Sequence, residues 1–77
     1  MNAWQCRSAR DFLKLSRQEL AAFAGLGYQT IVNVELGNKT RQSTLDKLEA
    51  YFTAQGIKFT KVRGYAAVHV PEDRSSS

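Results

Sequence analysis

Residues 15–37 read LSRQELAAFAGLGYQTIVNVELG, and their punctuation sets the fold. Ser16-Arg17-Gln18-Glu19 has the form of a capping box, in which the serine hydroxyl takes an orphan backbone N–H and Glu19 reaches back to the cap. A helix follows, with Leu20, Phe23 and Ala24 as its apolar face and small Ala21 beside it. Gly25 ends it, because glycine adopts the left-handed backbone of a helix stop at little cost. Only Leu26 and Gly27 separate that stop from the next helical pattern, Tyr28 to Leu36, in which Ile31 and Val34 point inward. Gly37 closes it. Two short helices meet at a tight turn.

The rest of the chain frames this pair. Asn2 can cap a first helix from Ala3 to Leu15, with Cys6, Ala9 and Leu13 on its buried stripe and Phe12 widening it, while Arg7, Asp11 and Lys14 face water. Asn38 to Gln42 reads as a polar loop. A fourth helix is expected from Ser43 to Gln55, with Leu45, Leu48 and Phe52 inward and Gly56 as terminator. Ser43 to Asp46 offers a second capping box, and Thr40 is a rival cap.

From Ile57 the period changes from 3.6 to 2. A two-residue Arg63-Gly64 turn pairs Val62 with Tyr65, Phe59 with Val68 and Ile57 with Val70. Ile57, Phe59, Ala66, Val68 and Val70 then share one face, and Lys58, Thr60 and His69 the other. Two strands agreeing on one register favour a hairpin. The tail after Pro71 has no apolar residue and is expected to be disordered. The expected fold is therefore mainly α: a four-helix bundle containing a helix-turn-helix over residues 1–56, a C-terminal two-stranded antiparallel β-hairpin over 57–70, and a tail over 71–77.

Composition bounds the function. A chain of 77 residues is one small domain, which buries only about 60% of the surface of its unfolded form and gains from a dimer partner. No apolar run approaches the roughly 18 to 20 residues of a membrane span, and the N-terminus lacks a basic-then-apolar leader pattern, so no membrane association and a cytoplasmic address are expected. The net charge of +4 mildly favours a polyanionic partner. One cysteine, Cys6, allows no intramolecular disulfide, and its plain reading is a small apolar residue on a helix. No metal or other cofactor is implied.

Two short helices joined through Gly25 behind an amphipathic first helix outline a helix-turn-helix. The motif needs a second helix with few inner anchors and a polar outer face, and Gly25, Ala21, Ile31 and Val34 meet that need. Plain helical bundles share such spacing. A more specific likeness lies in the residues themselves: Leu15-Ser16-Arg17-Gln18-Glu19-Leu20-Ala21, Ala24-Gly25-Leu26-Gly27, and Thr30-Ile31 followed by Glu35 and Gly37. This run resembles the helix-turn-helix of the Cro/repressor (XRE) family, over residues from about 7 to 52. The resemblance implies a sequence-specific DNA-binding protein, commonly a dimeric transcriptional repressor. Gly27 departs from the usual Ser or Thr cap, Arg17 from a frequent Gln, and the hairpin from the fifth helix of many relatives.

On that basis the third helix is expected in a major groove. Gln29 and Asn33 are four apart, hence on one face, and an amide can pair bidentately with adenine N6 and N7. Tyr28 can meet a base edge or stack on sugar-phosphate, and Thr30 and Val32 can touch thymine methyls. The bland alternative is a solvated polar face. Ser16, Arg17 and Gln18 open the second helix, whose free N–H groups suit a phosphate, and Asn38, Lys39, Thr40 and Arg41 flank the groove on its other side. The resemblance also implies a partly buried ion pair between Arg10 and Glu35, structural in role. The plain alternative is two exposed charges.

The hairpin leaves three alternatives: Ile57, Phe59, Val68 and Val70 can pack on their own helices, or join two copies across a two-fold axis, or form a basic wing with Lys58, Lys61 and Arg63. Functions of other classes fare worse. His69 is the only histidine and lies far from Cys6 in sequence, so no nucleophile–base grouping or metal-ligand spacing assembles, and no enzyme is expected. Gly25-Leu26-Gly27 lacks the third glycine and the preceding strand of a dinucleotide loop. The serious rival is a protein-interaction module, such as the antitoxin half of a toxin–antitoxin pair, with its hairpin adding a strand to a partner.

Overall fold

Hydrogen bonds at both ends of each segment decide where the helices lie. The computed structural model describes residues 1–62 and 65–70. Helices α1 (Ala3–Phe12), α2 (Arg17–Ala24), α3 (Tyr28–Glu35) and α4 (Gln42–Ala54) precede strands β1 (Lys58–Val62) and β2 (Tyr65–His69). The chain is thus mainly helical, with a C-terminal antiparallel pair of strands.

Asn2 and Ser16 start α1 and α2 with reciprocal capping boxes. Asn2 Oδ1 accepts from Gln5 N at 2.8 Å and Gln5 Oε1 accepts from Asn2 N at 2.9 Å. Ser16 Oγ accepts from Glu19 N at 3.0 Å, and Glu19 Oε1 from Ser16 N at 2.9 Å. The cap expected on α4 is absent. Arg41 is its N-cap and gives no side-chain cap, so neither Thr40 nor the Ser43–Asp46 box is used. The helix begins one residue early, at Gln42, whose Nε2 instead donates to Asp46 Oδ1 at 2.9 Å.

The C-termini share one device. Leu26 N donates to Ala21 O at 2.8 Å while Gly25 holds φ at 72°, a left-handed stop that satisfies carbonyls of the last turn. Helices α3 and α4 end likewise at Gly37 and Gly56. The first helix ends the same way on a lysine: Lys14 has φ 58°, Lys14 N donates to Asp11 O at 3.0 Å and Leu15 N to Arg10 O at 3.2 Å. This corrects the expectation that α1 runs to Leu15. Its last helical residue is Phe12, because the stop sits on a residue type that does not announce one.

Cys6, Ala9, Leu20, Ala21, Ile31, Val34, Leu48, Phe52 and Ile57 form the core. Each fully buried large aliphatic or aromatic side chain contributes about 1.5 to 3 kcal/mol. Phe23, expected inward, is 58% exposed. The buried stripe of α2 runs through Leu20, Ala21 and half-buried Ala24, and at roughly 100° per residue Phe23 lies about 110° from its centre. It stacks instead on Tyr51, with centroids 5.9 Å apart and planes 15° from parallel.

The strands pair as the alternation predicts, with Phe59 opposite Val68 and Val62 opposite Tyr65. Ile57 is fully buried, and half-buried Phe59 and Val68 pack on the core, Phe59 edge-on to Phe52 at 5.6 Å. These three residues therefore cover their own helices, with β2 lying against α1. Val70 does not join them. It follows the end of β2 and is 40% exposed. Lys58 and His69 are exposed, as their alternate face requires. The expected Arg63-Gly64 turn, the wing role of Arg63 and the tail after Pro71 lie outside the described residues, as do the side chains of Thr60, Lys61 and Ala66.

Candidate nucleic-acid interface

Helix α3 is anchored on one side only. Ile31, Val34 and Glu35 are buried, and Gln29 and Asn33 fall roughly opposite them on the helical wheel. Tyr28 and Gln29 are exposed, and Thr30, Val32 and Asn33 are half-buried along the flanks. The two amides are linked, since Gln29 Nε2 donates to Asn33 Oδ1 at 3.3 Å. Asn38 Nδ2 donates to the same oxygen at 3.3 Å. Asn33 Oδ1 thus accepts twice, while Gln29 Oε1 and Asn33 Nδ2 meet no partner among the described residues. An acceptor and a donor are left on one outward edge, the complement that an adenine edge presents.

A shallow depression lies on each side of this edge. One is lined by Arg10, Ser16, Arg17, Gln18 and Tyr28. It gathers the start of α2, the start of α3 and a cation from α1. The other is lined by Thr30, Asn33, Lys39, Thr40, Arg41 and Thr44. It joins α3 to the uncapped start of α4, where Lys39 and Arg41 are exposed. Asn38 and Thr40 also border a third concavity, with Trp4, Arg7 and Leu45, and Thr40 Oγ1 donates to Asn38 O at 3.0 Å. The residues expected at bases lie on α3, and those expected at phosphates line the two flanking depressions except Asn38, which borders the third concavity and hydrogen-bonds to Asn33.

Beneath the amide edge sits a charge cluster. Arg10 Nε donates to Glu35 Oε2 at 2.7 Å and Arg10 Nη2 to Glu35 Oε1 at 3.2 Å, while Arg10 Nη1 reaches Leu15 O at 2.9 Å. The Glu35 side chain is only 2% exposed. Its hydrogen bond raises the already high pKa of Arg10 further, against the opposing effect of burial. Arg17 Nε adds a third donor, to Glu35 Oε1 at 3.0 Å. Both Arg10 and Glu35 are thus held together between α1 and the end of α3.

Sequence reasoning missed two members of this region. Thr44 lines the second depression because α4 starts at Gln42, which puts it in the first turn beside Arg41. The Arg17–Glu35 contact had one available signal: a cation at the first residue of a helix, where the local field is unfavourable to it.

Among the described residues no group of three His, Cys, Asp or Glu side chains could hold a metal ion. No helix there is long and apolar enough to cross a membrane. No protein-family model and no curated protein matches the chain.

Proposed function

We propose that this protein is a sequence-specific regulator that binds double-stranded DNA. It is read as a repressor, acting as a homodimer on a (pseudo)palindromic operator with α3 in the major groove. The observation that carries this is the amide edge of α3, Gln29 and Asn33 facing out between two depressions that each hold two arginine or lysine side chains. A major groove about 12 Å wide admits one helix. Base edges then meet Gln29 and Asn33, with Tyr28, Thr30 and Val32 beside them, and phosphates meet the two flanks.

A second copy related by a two-fold axis places another α3 about 34 Å away, one turn along the duplex. With Arg17, Lys39 and Arg41 on phosphates, a dimer neutralises about six charges, so log Kd changes with log salt with a slope of magnitude about 5. Fluorescence anisotropy with a labelled duplex of random sequence, over a salt series, measures this. A slope of magnitude about 1, or no binding in low salt, rules the arrangement out.

A further inference from the structure

Arg17 occupies a place that its own helix disfavours. It is the first residue of α2, where unpaired N–H groups and the positive end of the dipole repel a cation. What holds it is Glu35, whose Oε1 accepts from Arg17 Nε at 3.0 Å. That carboxylate does not need a second cation, because Arg10 already engages both of its oxygens at 2.7 and 3.2 Å. Arg10 also has a second carboxylate, Asp11 Oδ1 at 3.6 Å from its Nη1, whereas Arg17 has only a share of Glu35. The less compensated charge is the exposed one, since the side chain of Arg17 is 44% exposed and that of Arg10 only 14%.

The geometry of the fork decides what that charge can do. With Nε committed to Glu35, the edge formed by Nη1 and Nη2 meets no acceptor among the described residues. Arg17 borders the depression shared with Ser16, Gln18 and Tyr28, beside the start of α2. We propose that Glu35 is a positioning residue for a phosphate contact by Arg17: it grips the guanidinium through Nε and leaves the two-pronged Nη edge for a DNA backbone phosphate. This rests on the DNA-binding reading above. A side chain already held loses less freedom on binding than one recruited from solvent, and the rigid fork lets one group face two anions at once. A lysine carries the same charge but cannot be held by one nitrogen while presenting two others.

The test uses the full chain, a fluorescently labelled random-sequence duplex and anisotropy over a salt series. Arg17→Lys is expected to keep the wild-type salt slope yet bind roughly tenfold more weakly at a given salt concentration, the loss of an optimally placed charged hydrogen bond. Arg17→Gln is expected to weaken binding further and to lower the slope by about 0.9 per subunit. Glu35→Gln, where its circular dichroism shows a folded chain, is expected to weaken binding by a larger factor in the wild-type background than in the Arg17→Gln background, where only its structural pairing with Arg10 is lost. A purely structural role for Glu35 would act equally in both. Arg17→Lys binding as tightly as wild type overturns the positioning role, and so does an Arg17→Gln variant with unchanged slope. Failure of the wild-type chain itself to bind duplex DNA removes the proposed function instead, which separates the two failures.

Discussion

Arg10 Nε lies 2.7 Å from Glu35 Oε2, a bond that ties α1 to the end of α3 beneath the amide edge. Removing one partner of a buried pair strands the other charge. Arg10→Met and Glu35→Ala are therefore expected to destabilise the fold by about 3 to 5 kcal/mol each, a large share of the 5 to 15 kcal/mol typical of a whole domain. Arg17→Ala, at the exposed arm of the cluster, is expected to lose less than about 1 kcal/mol, since Arg10 still satisfies the carboxylate. Urea unfolding of the three variants checks the order. Equal losses at positions 10 and 17 would contradict the division of labour between the two arginines.

Gly25 and Lys14 perform one task with different residues, at φ 72° and 58°. A methyl added at Gly25 meets nothing within 4 Å, so Gly25→Ala is expected to cost only its backbone strain, about 1 to 2 kcal/mol. Lys14→Gly relieves the same strain at the end of α1, offset by greater freedom in the unfolded chain. A net gain of up to about 1 kcal/mol is expected. In a domain of this size that raises the melting temperature by up to about 4 to 8 °C. A calorimetric scan showing Lys14→Gly melting below wild type would show that Lys14 contributes more than its backbone conformation.

Burial pushes the Cys6 thiol up from 9.0 to about 12, with Glu35 adding to the rise and Arg10 opposing it. The native chain is expected to resist thiol reagents at pH 8 and to react only when it unfolds. The raised value also fixes a sign. Between about 9 and 12 the folded state retains a proton that the unfolded state has released, so this contribution to stability is complete below that window and falls as pH rises through it. The stability difference between wild type and Cys6→Ala should narrow there, by at most about 1.4 kcal/mol per pH unit. A difference that stays constant with pH, or rapid labelling of the native thiol, would show that the thiol is not sealed in the core.

The fold was largely legible because its signals are local. Capping boxes at Ser16, glycine stops at Gly25, Gly37 and Gly56, and the shift to alternation at Ile57 each mark an element without reference to the rest of the chain. The errors arose where tertiary packing or an unusual residue decided. Lys14 takes a position that glycine usually announces, so the apolar pattern of α1 runs on past its last helical residue, Phe12. Phe23 is apolar and suggests a core position, yet the buried stripe of α2 runs through Leu20, Ala21 and half-buried Ala24 and leaves Phe23 58% exposed. Val70 continued the alternation on paper, but β2 stops at His69. Within the site, helical spacing alone put Gln29 and Asn33 on one edge. The third arm of the Glu35 cluster joins residues on different helices and could not be read from spacing.

The edge of α3 carries the proposed function, and base preference measures it most directly. Selection of bound sequences from a random duplex pool is expected to yield a symmetric site with half-sites about one helical turn apart. Gln29→Ala and Asn33→Ala should each relax the preference at one or two positions, losing about 1 to 3 kcal/mol of discrimination there, while leaving the salt dependence intact. Unselective recovery by the wild-type protein, or the same site recovered undiminished by both variants, would contradict the assignment of α3 as the reading helix.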